Sequence, residues 1–155
     1  MPTVCFSLAD PAAPEVHTLI ELLDRYQESL YPSESNHLLP IDVLRQPNVL
    51  FLVVRVDGAL AGCGAFVNMG DYAEIKRMFV LPEFRGLKLG RRLLEELERR
   101  ALAAGLMLAR LETGIHQPEA LGLYERAGYR RRGPFGDYAA DPLSVFMEKV
   151  LVELA

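Results

Sequence analysis

Glycines and cations are concentrated between residues 85 and 91, where an apolar stretch typical of a strand gives way to a pattern typical of a helix. The segment reads Arg85-Gly86-Leu87-Lys88-Leu89-Gly90-Arg91 and follows the apolar run Met78-Phe79-Val80-Leu81. A strand that turns into a helix leaves the first N–H groups of the helix without partners, and the helix dipole adds partial positive charge there. Together with the flanking guanidinium groups, these donors predict a binding site for a phosphate or pyrophosphate group.

Two common phosphate-binding loops do not match this segment. The sequence contains no G-x-x-x-x-G-K-[ST] motif, and no G-x-G-x-x-G motif opens a strand-helix-strand unit. A nucleoside triphosphate or a dinucleotide is therefore not favoured as the ligand.

Composition limits what else the chain can do. It has 155 residues, half of them hydrophobic, and a formal net charge of -4. A chain of this length buries a core without a disulfide or metal staple, so Cys5 and Cys63 are interpreted as reduced, buried small hydrophobes. No apolar run approaches the roughly 20 residues of a membrane helix, and the mild acidity argues against general nucleic-acid binding. We expect one soluble cytoplasmic domain over residues 1–155, with no metal, membrane or nucleic-acid partner.

The elements that position the Gly/Arg segment follow from hydrophobic periodicity. Strands are predicted over residues 3–8, 49–56, 60–67, 73–81, 106–113 and 144–151, and helices over 10–30, 89–104 and 118–127. Residues 31–48 are predicted to be irregular or briefly helical, and Asp57-Gly58 is a hairpin signal. The order β α β β β α β α β predicts an α/β (α+β) fold with a mixed sheet of about six to seven strands flanked by helices.

Three motifs in order along the chain resemble the GCN5-related N-acetyltransferase superfamily. The loop at 85–90 resembles that family's acetyl-CoA pyrophosphate loop, Gln/Arg-x-x-Gly-x-Gly/Ala, and matches it at Arg85 and Gly90. Residues 74–80 resemble the family's fourth strand, and residues 121–129 resemble its LYxxxGF segment. The resemblance covers nearly the whole chain and implies a fold of this family, with acetyl-CoA as cofactor and CoA as product.

Lys88 departs from the family pattern because it stands at the position of the first glycine. If this position requires a positive φ, lysine costs free energy there. If the position is already helical, the lysine adds a cation near a phosphate. The sequence leaves both alternatives open.

The resemblance also assigns the cofactor site. The residues are Met78, Phe79, Val80, Arg85, Gly86, Leu87, Lys88, Leu89, Gly90, Arg91 and Gln117. In similar enzymes the strand at 78–80 is bulged and splays from the next strand, so that its main-chain groups face the pantetheine arm and the thioester oxygen. Gln117 stands where an asparagine that touches CoA is common.

Acetyl transfer to an amine requires a group that takes a proton from the amine, because an alkyl ammonium has a pKa of about 10.4 and is charged at pH 7. The resemblance makes Glu74 the first candidate for this base, directly or through water, and Glu112 the second. A structural alternative for Glu74 is a strand-end carboxylate paired with Lys76 or Arg77.

The departing CoA thiolate benefits from a proton donor. Tyr124 matches the tyrosine that often serves as general acid in similar enzymes, and a phenol with a pKa of about 10 is protonated at neutral pH. A structural alternative for Tyr124 is packing beside Leu121 on an amphipathic helix.

The resemblance implies a direct transfer to a primary amine of a small molecule, and less favourably to a peptide or protein. The expected acceptor segments hold Tyr26, Tyr31, Glu34, His37 and residues 134–138. The alternative function is a non-catalytic acyl-CoA-binding or regulatory module. Lys88 in the loop favours this alternative, whereas the presence of both Glu74 and Tyr124 favours the enzyme. Related enzymes often pair through sheet edges, so a homodimer is a further expectation without an assigned surface.

Overall fold

A computed structural model describes residues 2–35 and 40–151 of the chain. The helices are α1 Pro14–Leu30, α2 Ile41–Leu44, α3 Leu89–Ala103 and α4 Pro118–Arg126. The strands are β1 Val4–Leu8, β2 Val49–Val56, β3 Ala59–Asn68, β4 Ala73–Val80, β5 Leu108–Gly114, β6 Arg130–Arg132 and β7 Ser144–Val150. Short 3-10 turns occur at Ser33–Ser35 and Pro82–Phe84.

The strands form one mixed sheet in the order β1-β2-β3-β4-β5-β7-β6. Every neighbouring pair is antiparallel except β4 and β5, which are parallel and connected through α3. The predicted mixed sheet of six to seven strands flanked by helices is confirmed, with seven strands.

The β2–β3 hairpin forms where Asp57-Gly58 predicts it. Both residues have positive φ, 49° for Asp57 and 86° for Gly58. Two consecutive residues of positive φ give a turn whose twist matches that of the flanking strands. Val56 pairs with Ala59 directly across this turn.

Helices cover both faces of the sheet. On one face, the apolar stripe of α3 is fully buried, and Leu93, Leu94 and Leu97 pack with sheet residues such as Leu52 and Ile75. On the other face, Val16, Leu19 and Ile20 of α1 pack on the opposite side chains of β2 and β3. The helical spacing of these apolar residues therefore predicted which side of each helix faces the sheet.

Strand β4 is bulged in its middle and separates from β5 beyond it. Cys63 pairs with Phe79 and Ala65 pairs with Lys76, so one β3 residue faces both Arg77 and Met78. Arg77 has a φ of 58°. The pairing of β4 with β5 covers only residues 73–75 against 109–111, after which the two strands diverge. The bulge and the splay implied by the family resemblance are both present.

Three features differ from the sequence-based expectation. Cys5, interpreted as buried, is exposed on β1, which is an edge strand of the sheet. Helix α1 begins at Pro14 rather than at Asp10-Pro11, because the Asp10 carboxylate accepts the N–H of Ala12 at 2.9 Å and stabilises a separate turn. Strand β6 was not predicted. His37, expected near the acceptor, lies outside the described residues.

Candidate active site

The gap between the diverging strands opens into a groove with a volume of about 860 Å³. We call it the cofactor groove. It is lined by the end of β4 (Met78, Phe79, Val80), by the loop and first turn of α3 (Phe84, Arg85, Gly86, Lys88, Leu89, Gly90, Arg91), by α4 and its N-cap (Gln117, Pro118, Glu119, Ala120, Leu123, Tyr124, Arg126), and by Leu23 and Tyr26 of α1. Leu87, predicted to bind the cofactor, packs against the main core instead.

The N-terminus of α3 is open toward this groove. Lys88 is the N-cap residue and makes no side-chain cap, and the first turn of the helix contains no acidic residue. The main-chain N–H groups there carry the positive end of the helix dipole, which suits a phosphate group. The residues present therefore fit the pyrophosphate of CoA.

The conformation of Lys88 decides between the two alternatives that the sequence left open. Its backbone is left-handed, with φ 56° and ψ 32°. The position thus requires the conformation that a glycine adopts without strain, and the lysine side chain is placed on a strained backbone. Lys88 is nevertheless exposed and lines the groove.

The arginines at this end of the groove have exposed partners, including the Arg126 carbonyl oxygen, which accepts a hydrogen bond from Arg91 at 3.3 Å. Arg85 forms an ion pair of 3.6 Å with Glu119, and Arg91 forms one of 3.6 Å with Glu95. Exposed pairs of this kind contribute little to stability. Exchanging these partners for a phosphate group therefore costs little free energy.

A smaller cavity of about 90 Å³ adjoins the groove on the side of α1. We call it the inner cavity. Its polar walls come from Gln27, Tyr31, Ser35, Lys76, Arg77, Glu112, Thr113 and Gln117. Leu23, Met78, Gln117, Ala120 and Tyr124 line both spaces. A thioester reaching the inner end of the groove would thus face a small polar chamber.

Tyr124 stands at this junction and is buried in the core of the protein. Burial, and secondarily the charge of Glu112, raises the pKa of its phenol, so Tyr124 is protonated at neutral pH. Its ring contacts Tyr129 edge to face, with centroids 5.7 Å apart. Tyr129 donates to Glu98 at 2.8 Å, which fixes the ring that supports Tyr124.

The two candidate bases have different surroundings. Glu112 lines the inner cavity together with Tyr124. Glu74 is buried, accepts a hydrogen bond of 2.5 Å from Tyr138, and lies 3.0 Å from the ammonium of Lys76. In the described part of the chain, Glu74 is absent from the walls of both spaces. The ion pair with Lys76 is the structural alternative considered for Glu74.

Tyr31 forms part of the wall of the inner cavity. Its hydroxyl donates to the Gln117 side chain at 3.2 Å and accepts the N–H of His116 at 3.1 Å. A Cβ on Gly114 would lie 1.7 Å from the Tyr31 oxygen, so only glycine fits at position 114. Tyr31 therefore links the end of α1 to the start of α4.

The other segments expected near the acceptor are distributed differently. Tyr26 lines the cofactor groove rather than the inner cavity. Tyr138 binds Glu74 and packs in an aromatic cluster with Phe135 and Phe146. The sequence missed the contact of Tyr138 with Glu74 because the two residues are distant along the chain.

Other chemistries have little support in the described residues. Burial raises the pKa of the Cys63 thiol to about 12, which keeps it protonated and unreactive at neutral pH. Within residues 2–35 and 40–151, no group of three or more His, Cys, Asp or Glu side chains is arranged to hold a metal ion. No helix in the same part of the chain has the length and hydropathy needed to cross a membrane.

Comparison with known proteins agrees with this geometry. A curated relative, the IAA acetyltransferase of Azospirillum brasilense, is 51% identical over 153 residues, which cover 97% of this chain and 100% of the relative. A provisionally named acyl-CoA N-acyltransferase of Klebsiella pneumoniae has a crystal structure with 40% identity and a TM-score of 0.81, and the match covers 98% of this chain and 99% of that one.

The PaiA N-acetyltransferase of Thermoplasma acidophilum, solved in complex with coenzyme A, has the same fold at 19% identity, with a TM-score of 0.71 and coverage of 96% and 99%. Residues 16–129 match the model of the acetyltransferase (GNAT) family, and this span contains the bulged strand, the α3 N-terminus and Tyr124. The chain therefore belongs to the GNAT family of N-acetyltransferases.

Proposed function

We propose that this protein moves an acetyl group from acetyl-CoA directly to the primary amine of a small molecule. The observation that carries the proposal is the shared wall of the cofactor groove and the inner cavity, which includes Met78, Gln117 and Tyr124. A donor held in the groove and an amine held in the cavity would meet there without an acyl-enzyme intermediate. The buried, protonated thiol of Cys63 also speaks against a covalent route.

The size and the polarity of the inner cavity favour a small acceptor. A site of about 90 Å³ holds only a small molecule or the end of a longer one. Amide, hydroxyl and carboxylate groups in its walls suit a polar amine. The name of the Azospirillum relative supports acetyl transfer as the reaction.

We assign the cofactor to the α3 N-terminus and the end of β4. The first N–H groups of α3, with Arg85 and Arg91, hold the pyrophosphate, and the main chain of 78–80 orients the pantetheine arm and the thioester oxygen. When bound, acetyl-CoA supplies an activated acetyl carbon. The amine nitrogen forms a bond to this carbon as the carbon–sulfur bond breaks.

We assign the amine proton to Glu112, directly or through water. Glu112 shares the inner cavity with Tyr124, whereas Glu74 is enclosed by Tyr138 and Lys76. A general base must reach the proton that it removes, so the geometry favours Glu112. Glu74 is then a structural residue that fixes the segment carrying Tyr138.

We assign proton donation to the CoA sulfur to Tyr124. The pKa of a phenol is about 10, above about 8.5 for a thiol, and burial raises the pKa of Tyr124 further. Proton transfer from Tyr124 to the CoA sulfur is therefore unfavourable, so we expect a rate gain at the low end of the range for general acids. Tyr124→Phe is expected to lower kcat about a hundredfold with little change in the Kd for CoA. Unchanged turnover would remove Tyr124 from the mechanism.

The activity itself is tested by release of the CoA thiol from acetyl-CoA with a panel of small primary amines. Binding of acetyl-CoA and CoA is measured in parallel by calorimetry. Thiol release that depends on one class of amine supports the proposal. Binding of acetyl-CoA without thiol release for any amine would instead support a non-catalytic acyl-CoA-binding module, which the strained Lys88 in the pyrophosphate loop favours.

Glu112→Gln and Glu74→Gln form a matched pair for the base. We expect Glu112→Gln to lower kcat about a hundredfold or more at neutral pH and to lose the acidic limb of the pH profile. Glu74→Gln is expected to lower thermal stability while keeping most of the turnover. The opposite outcome would return the role of base to Glu74.

A further inference from the structure

Arg77 is a long side chain on a backbone that favours glycine. Its φ of 58° lies in the left-handed region, which is unfavourable for a residue with a Cβ atom. The residue sits in the β4 bulge, where Arg77 and Met78 share one position of the opposite strand. Such an unfavourable conformation persists only where surrounding contacts hold it.

Contacts from α1 and β3 hold Arg77 in place. The side chain is only 3% exposed, and its guanidinium forms an ion pair of 3.7 Å with Asp24 of α1. The Cys63 thiol donates to the Arg77 carbonyl oxygen at 3.2 Å. The side chain and the main chain of the bulged residue are thus fixed from two different elements, α1 and β3.

Burying this ion pair carries a cost. Burial lowers the pKa of Arg77 and raises the pKa of Asp24, while each charge partly offsets the effect on the other. The Asp24 side chain is 30% exposed, so the pair is partly buried and is expected to add little net stability; its presence therefore points to a structural role. What it specifies here is the conformation of the bulge.

The pair connects the two sides of the site. Asp24 lies on α1 next to Leu23, and Leu23 lines both the cofactor groove and the inner cavity. Arg77 precedes Met78, which lines the same two spaces. Fixing Arg77 against α1 therefore fixes the main chain of 78–80 relative to the wall of the inner cavity.

We propose that Asp24 and Arg77 form a clamp that holds the β4 bulge in its left-handed conformation and thereby positions the main chain of 78–80 for acetyl transfer. Both are positioning residues, because they act through the backbone of Met78 and its neighbours. The inference rests on the proposed function, since the positioned groups are those assigned to the thioester.

Arg77→Ala and Arg77→Gly are the matched variants that test the clamp. Both remove the guanidinium, but only glycine adopts a φ near 58° without strain. We expect Arg77→Ala to lower kcat by about tenfold to a hundredfold, the scale of a small misplacement of reacting groups, with the Kd for acetyl-CoA nearly unchanged. Arg77→Gly should retain a kcat several-fold above that of Arg77→Ala, because both variants lose the guanidinium that lines the inner cavity and they differ in the strain of the backbone.

Asp24→Asn gives a second test through the other partner. It leaves the guanidinium without its counter-charge, so kcat should fall as in Arg77→Ala. The double variant Asp24→Asn/Arg77→Gly should recover the kcat of Arg77→Gly, because the clamp is no longer needed. This comparison remains valid if Arg77→Ala does not fold.

Equal kcat in Arg77→Ala and Arg77→Gly would overturn the clamp, even if their melting temperatures differ, because the pair would then serve stability alone. An unmodified protein that binds acetyl-CoA but releases no thiol refutes the proposed function instead. The clamp is then judged by amide hydrogen exchange at Met78 and Phe79, which should be faster in Arg77→Ala than in Arg77→Gly. Equal exchange rates overturn it.

Discussion

The left-handed Lys88 allows strain and charge to be measured separately in one loop. Its φ of 56° costs a residue with a Cβ about 1–2 kcal/mol. Replacement by glycine removes this cost. It also lowers the free energy of unfolding by about 0.4–1 kcal/mol, because glycine gives the unfolded chain more conformational freedom. We therefore expect Lys88→Gly to raise the free energy of unfolding by about 0.5–1 kcal/mol.

For a domain of this size, such a gain raises Tm by about 1–4 °C, measured by calorimetry or circular dichroism. Lys88→Ala is the matched control, because it removes the same exposed ammonium and keeps the Cβ on the left-handed backbone. Its stability should stay within about 0.5 kcal/mol of the unmodified protein. Equal stability of the glycine and alanine variants would refute the reasoning.

The same two variants report on the charge. An exposed cation near a phosphate contributes about 0.2–1 kcal/mol, which corresponds to about a 1.4-fold to 5-fold change in the Kd for CoA. Both variants should weaken binding to the same extent, and the loss should shrink at high salt. A larger loss in Lys88→Gly alone would show that loop rigidity, not charge, controls the affinity.

Three further predictions concern the rest of the molecule. Gly114→Ala should destabilise the protein by about 1–3 kcal/mol through the clash with Tyr31. In denaturant titrations, the same substitution should cost much less when it is added to a Tyr31→Ala protein, because the clash is then absent. Hydrogen bonds from Arg110 and Arg132 lower the pKa of Glu148. The ionised carboxyl therefore stabilises the fold above the pKa that it has in the unfolded chain, and this stabilisation is lost as the pH falls below about 4. In Glu148→Gln, the free energy of unfolding should depend less on pH in the acid range. In native protein a thiol reagent should modify the exposed Cys5 rapidly and Cys63 only on unfolding, and rapid reaction of both would contradict the buried placement of Cys63.

Local patterns predicted most elements of the fold. The Asp57-Gly58 hairpin and the boundaries of α3 depend on neighbouring residues, and Gly105 ends α3 with a φ of 85°, as its type and position indicate. Helix α1 was placed too early because Asp10-Pro11 and the later Pro14 both satisfy the start signal. The hydrogen bond of the Ala12 N–H with Asp10 forms a separate turn at the first of these signals, which leaves the second to begin the helix.

Strand β6 could not be found from periodicity. Arg130–Arg132 carries neither alternation nor apolar side chains, and the segment becomes a strand by pairing with β7. The guanidinium of Arg132 binds Glu148 of that strand at 2.6 Å. Such pairing depends on residues distant in the sequence.

The candidate site likewise contains segments that the sequence predicted and contacts that it did not. Ten of the eleven residues that the resemblance predicts to bind the cofactor line the groove, with Leu87 as the exception, and all but Gln117 lie within residues 78–91. The hydrogen bond of Glu74 with Tyr138 and the ion pair of Arg77 with Asp24 each join residues that are far apart along the chain. A single sequence does not reveal these pairings.

The short parallel pairing of β4 with β5 affects the mechanics of the whole domain. Among the residues that the structure describes, strand pairing joins β1–β4 to the β5, β7 and β6 half of the sheet at residues 73–75 and 109–111 alone. The cofactor groove lies across this seam, with β4 on one side and α4 on the other. A molecule filling the groove acts as a non-covalent crosslink between the halves, so saturation with CoA should slow their separation as well as raise the melting temperature.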